Sequence, residues 1–516
     1  MQLKKIAFAV AAMATGFAAQ AAGTVSIGGV PHNVVYLSGA SAPDNFLADI
    51  AEGMMTGVTH YSASNYKAFA GSANGIPGVT NGTKVLFIKR SAGGSAFGVG
   101  PVARAQRVKT IDVTNCTSGA GTKASPFVCA ITGADPGETG HALATNAGLV
   151  PDFGISDVEP AMFQEPFNTE NDTPALASDE VARLTVVPVN QLMMGLAATN
   201  NVPATVHLSR SAYGAMLNNQ IQTWDQVDPS LDGDVVVCRR VEGSGTQTSY
   251  NWFFGNFPCS GSGAQTPARM SDSFGYKAAG EGTSASPFII DATAGYTVVE
   301  NSSSGDVRNC MKAANDGTDH TFSAYDPDSG TTKVFKVNFS ESGPKKAIGV
   351  VSLDSYTNAA GAKFSFRHLD GAGTYNYDSV TKTFSSSAGA TGVAPSKANL
   401  LAGKYDFVVE ISAQSRNVAV TNEQGNTVAP IAGLTKAVAD EFVKRAGSPK
   451  FTGNFENTGT QVSTPEAFAS LPQYYAGLTN AAGSAVNGAG VRFADMYVAK
   501  YTRKANTCSP LQYVGN

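Results

Sequence analysis

The segment Arg239-Arg240-Val241-Glu242-Gly243-Ser244-Gly245-Thr246 concentrates the groups that hold a tetrahedral oxyanion. It follows the apolar run Val235-Val236-Val237-Cys238, so its arginines stand at the end of a buried strand. A guanidinium there can make bidentate, charge-assisted bonds to an oxyanion. Ser244 and Thr246 can add hydroxyl donors, and the backbone N–H groups around Gly245 point the same way at the start of the next helix. Glu242 is placed to hold the Arg240 guanidinium. Gly-Ser-Gly-Thr alone would more often be a helix cap, and the Arg-Arg-x-Glu prefix is what turns it toward anion binding.

Other strand ends carry the same kind of turn. Val34 to Leu37 leads into Ser38-Gly39-Ala40-Ser41, and Lys84 to Lys89 leads into Arg90-Ser91-Ala92-Gly93-Gly94-Ser95. Val150 to Asp157 reads as a strand with a polar end. Asp157 is informative because a carboxylate repels an anion unless that anion has a proton to donate. Phosphate carries one near neutral pH and sulfate does not, so an acceptor here would select between them. Taken alone, an Asp after Ser156 is more often a cap or a turn residue.

The elements that must position these turns follow from the apolar runs. Strands are expected at Val34–Leu37, Lys84–Lys89, Val235–Arg240, Ala347–Leu353 and Tyr405–Ile411, with helices over 45–55 and 247–254. Leu184 to Met194, rich in Val, reads as a strand crossing between two lobes. Met216 to Asp225 reads as the end of a helix and its exit. Residues 114–146 and 260–318, rich in Gly, Ser and Thr, read as surface insertions. Strands alternating with helices indicate an α/β fold with parallel strands.

Five segments, in this order, resemble the periplasmic phosphate-binding component of the high-affinity phosphate uptake transporter. They are Gly39-Ala40-Ser41-Ala42-Pro43, Ser91-Ala92-Gly93-Gly94, Asp152-Phe153-Gly154-Ile155-Ser156-Asp157, Ile221-Gln222-Thr223-Trp224-Asp225 and Arg239 to Thr246. The chain departs from that family in Ser41 for Thr, Glu242 for Asp, and a longer stretch between Ser91 and Asp157. The resemblance implies a two-lobed type 2 periplasmic-binding-protein fold, a clamp with extended Gly/Ser/Thr-rich insertions. It implies phosphate contacts from Ser41, Ser91, Asp157, Arg240, Ser244, Gly245 and Thr246, with Glu242 orienting Arg240. Lobe I would hold residues 22–186 and 401–516, and lobe II 187–400. The implied role is capture of inorganic phosphate for an ABC transporter permease, as a monomer.

Composition and the ends of the chain bear on the same question. Lys4 and Lys5, the apolar run to Ala19 and the small-x-small Ala19-Gln20-Ala21 read as a signal peptide over 1–21, giving export to the periplasm. A net charge of −4 with 15% charged residues argues against a nucleic-acid partner. Six cysteines suit an oxidising compartment. Pairing is preferred for Cys116 with Cys129 and for Cys238 with Cys259, leaving Cys310 with Cys508, while other connectivities stay open. No G-x-S-x-G elbow, nucleotide loop, metal-ligand spacing or cofactor motif is present, so binding without chemistry is the expectation. Arsenate or another oxyanion is one alternative ligand. A surface protein that reuses the binding fold is the other alternative.

Overall fold

A computed structural model describes residues 23–169, 174–260, 264–449, 464–471, 478–479, 485–486 and 498–513. The signal peptide expected over 1–21 lies outside the described residues. Two mixed sheets share one strand. The first runs in space from Thr110–Ser118 through Phe127–Thr132, Met55–Ala63, Tyr66–Ala73, Lys84–Arg90, Val30–Gly39, Phe153–Ser156 and Val408–Arg416 to Leu184–Thr199. The second runs from Thr374–Asp378 through Phe364–Arg367, Leu184–Thr199, Ala347–Ser352 and Val236–Arg240 to Thr297–Asn301.

The shared strand changes sheets midway. Leu184 to Met193 pairs with Val408–Arg416 of the first sheet, and Met194 to Ala198 pairs with Ala347–Ser352 of the second. It is 16 residues long, extending beyond the expected Met194 to Thr199. The centre of each sheet is parallel. Lys84–Arg90, Val30–Gly39 and Phe153–Ser156 run together in the first, and Thr297–Asn301, Val236–Arg240 and Ala347–Ser352 in the second. The resulting fold is two α/β lobes.

The period of two along each strand sorts the cores. Val35 and Leu37 enter a large apolar cluster that continues through both sheets, while Val34 and Tyr36 enter a smaller one on the opposite face of the first sheet. Phe87 and Leu86 on the neighbouring strand divide the same way.

Both insertions carry regular structure where surface loops were expected. Thr110–Ser118 and Phe127–Thr132 form an antiparallel ladder, and Phe127 lies against Tyr61 with ring centroids 5.6 Å apart. The second contains Phe288–Ile290, Thr297–Asn301 and the helix Ser304–Asp316. Val307, Cys310, Met311 and Ala314 are buried in that helix at spacings of three and four, a face that the region's polar composition conceals.

The two insertions also hold copies of one loop. Gly119-Ala120-Gly121-Thr122-Lys123-Ala124-Ser125-Pro126-Phe127 and Gly280-Glu281-Gly282-Thr283-Ser284-Ala285-Ser286-Pro287-Phe288 share a Gly-x-Gly-Thr-x-Ala-Ser-Pro-Phe pattern. In one, the N–H of Ala120 donates to the Ser125 carbonyl at 2.9 Å and that of Ser125 to Thr122 Oγ1 at 3.1 Å. In the other, Glu281 donates to the Ser286 carbonyl at 2.9 Å and Ser286 to Thr283 Oγ1 at 3.0 Å. Gly119 and Gly280 have φ of 100° and 94°. A Cβ on either would fall within 2.1 Å of the proline carbonyl oxygen of its own loop, so glycine is required at both.

Of the disulfides, Cys116–Cys129 forms as expected, across facing positions of the ladder. The other two pairings are corrected. Cys238 joins Cys310, and Cys259 joins Cys508. Cys238 and Cys310 both enter the apolar layer between the strand Val236–Arg240 and the helix Ser304–Asp316, which brings their Cα atoms to 5.9 Å.

Candidate functional site

The turns singled out in the sequence leave the C-terminal ends of the parallel strands. Gly39 leads to Ser41, Arg90 to Ser91 and Ser156 to Asp157 in the first lobe, and Arg240 leads to Thr246 in the second. This is the edge at which an open α/β sheet places ligands. The edges of the two lobes face each other and touch.

One group of contacts centres on Arg240, which is 1% exposed. Its Nη1 donates to Ser41 Oγ of the opposite lobe at 2.9 Å and to Ser304 Oγ at 3.2 Å. Its Nη2 donates to the Ser302 carbonyl at 2.7 Å and its Nε to the Asn301 carbonyl at 3.2 Å. Ser304 opens the helix Ser304–Asp316, whose N-cap Ser303 receives the Asp306 N–H at 3.1 Å. A helix N-terminus and a guanidinium thus lie beside the Ser41 hydroxyl.

A second group centres on Asp157, also 1% exposed. Its Oδ2 accepts from Thr246 Oγ1 of the opposite lobe at 2.9 Å, and its N–H donates to Ser95 Oγ at 3.2 Å. Its Oδ1 is buried with no hydrogen-bond partner among the described residues. Burial raises its carboxyl from 3.8 to about 6, against the opposing pull of the Thr246 hydroxyl and the Arg240 charge. Gly245 sits at a close approach of the two lobes. A Cβ there would lie 2.3 Å from Ser95 Oγ and 2.9 Å from Asp157 Cβ. Ser244 caps the helix Gly245–Gly255 by accepting from the Gln247 N–H at 3.3 Å. The Ala96 N–H donates to the Gly243 carbonyl at 2.9 Å, adding a backbone bond across the cleft.

Ser91 belongs to a third group. Its hydroxyl donates to Asp44 Oδ1 at 2.7 Å and accepts from Lys89 Nζ at 2.8 Å. Lys89 is buried, which lowers its pKa, and the Asp44 carboxylate 3.3 Å away counters that. Ser41, Ser91 and Ser304 all line a cavity of about 260 Å³ between the lobes.

One expected role is corrected. Glu242 accepts from Arg269 Nε at 2.9 Å, and the charges acting on it are those of Arg239, Arg269 and Glu300. The strand's alternation puts Arg239 and Arg240 on opposite faces, and Glu242 follows the Arg239 side. Arg240 is instead oriented by the Ser302 and Asn301 carbonyls. Those residues and Ser304 escaped the sequence reading, although Ser302-Ser303-Ser304-Gly305-Asp306 directly after the apolar Thr297–Asn301 is a capping signal. Ser95 escaped as well, at the end of a turn that was otherwise recognised.

Among the described residues, no group of three or more His, Cys, Asp or Glu could hold a metal ion, and no helix is long and apolar enough to cross a membrane.

No family model matches the chain, and no curated protein matches it. Solved structures do. A putative phosphate ABC transporter substrate-binding protein from Clostridium perfringens, with bound phosphate, aligns at TM-score 0.38 and 13% identity, over 80% of this chain and 93% of that one. The high-affinity periplasmic phosphate-binding protein PfluDING aligns at 0.33 and 13%, over 83% and 96%. An ABC-type phosphate transport receptor from Vibrio cholerae aligns at 0.27 and 13%, over 57% and 74%. At such TM-scores these likenesses carry no inference about this chain.

Proposed function

We propose that the chain is a solute-binding protein that closes two lobes on inorganic phosphate, performs no chemistry on it, and delivers it in the periplasm to the permease of an ABC transporter. The lobes are residues 22–186 with 401–516, and residues 187–400. The strand Leu184–Thr199, which passes from the first sheet to the second after Met193, supports two lobes, with the crossing a few residues beyond 187. The protein acts as a monomer with an oxidised, disulfide-bonded fold.

The observation that carries the reading is the Asp157 carboxylate. It is buried between the lobes, with Oδ1 lacking a partner among the described residues and with Arg240 close enough to act on its charge. An acceptor left in this state beside a guanidinium suits a ligand that is both anionic and a proton donor. Arg240 supplies the charge complement. Ser41, Ser91, Ser244 and Thr246 supply hydroxyls, and Gly245 lets the backbone approach. Sulfate, without a proton, would set its oxygen against Asp157 and be refused. Because the contacts come from both lobes, ligand favours the closed arrangement.

The test is calorimetric titration of the mature protein, stripped of bound anion, with phosphate and then sulfate near pH 7. Phosphate is expected to bind at micromolar strength or tighter, about −8 kcal/mol, and sulfate to give no heat. Silence with both anions would overturn the reading.

A further inference from the structure

The cavity beside Ser41 and Ser304 extends past the proposed phosphate position. Its lining includes Lys67 from the strand Tyr66–Ala73 of the first lobe and Arg308 from the helix of the second. Its volume of about 260 Å³ leaves room beyond a single orthophosphate. Arg308 stands one turn past Ser304, and its Nη2 reaches back to within 3.7 Å of where a Gly305 Cβ would be. Its guanidinium donates from Nη1 to Ser355 Oγ at 3.1 Å and makes no ion pair among the described residues. The Lys67 ammonium makes neither a hydrogen bond nor an ion pair among them.

Asp354, Asp44 and Asp306 act on the Arg308 charge, but none forms an ion pair with it, and each is engaged elsewhere. Asp44 is bound to Lys89 and Ser91. Asp306 is turned back onto the Ser302 and Ser303 hydroxyls. Asp354 is buried and accepts from Thr464, and burial pushes its carboxyl up to about 7, so near neutral pH it is partly uncharged. Two half-buried cations that face one cavity, without ion pairs, beside an anion position are costly unless a ligand neutralises them.

We propose that the ligand of this cleft is a small phosphoryl compound with a second anionic group, held by Arg308 and Lys67 while its phosphoryl group occupies the Ser41–Arg240–Ser304 position. The assignment rests on the anion-binding reading above and narrows its ligand. Two sources share this chemistry, a condensed phosphate and a phosphorylated carboxylic acid.

Calorimetric titrations of the full mature chain in metal-free buffer, with orthophosphate, pyrophosphate and phosphoglycolate, separate them. At least one of the latter two is expected to bind about tenfold or more tighter than orthophosphate. That advantage should disappear in Arg308→Met and in Lys67→Met. An advantage for pyrophosphate alone assigns a condensed phosphate, and one for phosphoglycolate alone assigns a phosphorylated acid. If Arg308→Met does not fold, Lys67→Met carries the test, since the Lys67 ammonium makes no described hydrogen bond. Orthophosphate binding at least as tightly as both would overturn the inference and leave phosphate capture standing. An advantage that survives in both variants would overturn the assignment to these cations. Absence of binding by all three would remove the anion-binding reading itself.

Discussion

The two strand edges that meet in the cleft are built from similar turns but dispose of their charge differently. In the first lobe the two cations that end the strand Lys84–Arg90 are bound to carboxylates of their own lobe, Lys89 to Asp44 at 3.3 Å and Arg90 to Asp135 at 2.7 Å. What that edge presents is hydroxyl and carboxyl, from Ser41, Ser91, Ser95 and Asp157. In the second lobe Arg240 reaches across to the Ser41 hydroxyl and donates to the Ser304 hydroxyl and the Ser302 and Asn301 carbonyls. Under the proposed function the second lobe would attract an anion, and the first would examine its protons and its shape. Affinity and selectivity would then be divided between lobes, with closure needed to apply both.

That division can be broken by substitution. Arg240→Ala should cost the most, at least about a hundredfold in phosphate affinity by titration, in keeping with the 2–5 kcal/mol typical of truncating a buried charged partner. Unchanged affinity would remove the attracting role from the second lobe. Gly245→Ala places a methyl against Ser95 and Asp157, so it should hinder closure and weaken phosphate by about tenfold or more, with a phosphate-induced compaction in small-angle scattering reduced or lost. Asp157→Asn should weaken phosphate by roughly tenfold and admit sulfate, shrinking the difference between the two titrations. Continued refusal of sulfate would show that the first lobe does not read protons through this residue. Ser41→Ala, losing one hydroxyl, should cost about 1 kcal/mol.

A pH measurement sharpens the same contrast with a smaller effect. The Asp157 carboxyl is raised from 3.8 to about 6, so the folded state favours its protonated form. Its contribution to stability is complete below about pH 4 and is lost as pH rises toward 6. Without anion, the melting temperature of the native chain should fall relative to Asp157→Asn across that window, by no more than about 3 kcal/mol of stability at about 1.4 kcal/mol per pH unit. Asp152 and Asp354 are raised too, so the difference between the two proteins, rather than either curve alone, isolates Asp157. A difference that is flat from pH 4 to 7 would count against the buried, acceptor character assigned to it.

How far these features could be read beforehand depended on how local their causes are. The turn after Val235–Arg240 and the turn before Ser41 were legible because an apolar run, a glycine and a hydroxyl are neighbours in sequence. The role of Glu242 was misread because proximity in sequence suggested Arg240, while alternation along the strand sent it toward Arg239 and Arg269. Cys259 and Cys508 are 249 residues apart, and nothing near either names the other. The helix Ser304–Asp316 was hidden in a region judged by composition, although its capping serines and its periodic Val307, Cys310, Met311 and Ala314 were present. Arg308 and Lys67 come from different lobes, so their meeting is visible only in the fold.

The paired Gly-x-Gly-Thr-x-Ala-Ser-Pro-Phe loops bear on how such a chain can be engineered. Each copy is seated on its own lobe. Gly121 receives the His60 N–H at 2.9 Å, and Gly282 receives the Val334 N–H at 3.0 Å. Each copy also feeds a strand that runs parallel to its local hairpin, Phe127 facing Tyr61 and Phe288 facing Phe335. A motif that closes its own hydrogen bonds and asks only for one hairpin edge is portable. It appears in both lobes, in each on the edge of a local hairpin. For the engineer the exposed Ser284 is an opening for peptide cargo, whereas Lys123 is tied to Asp49 and Glu52.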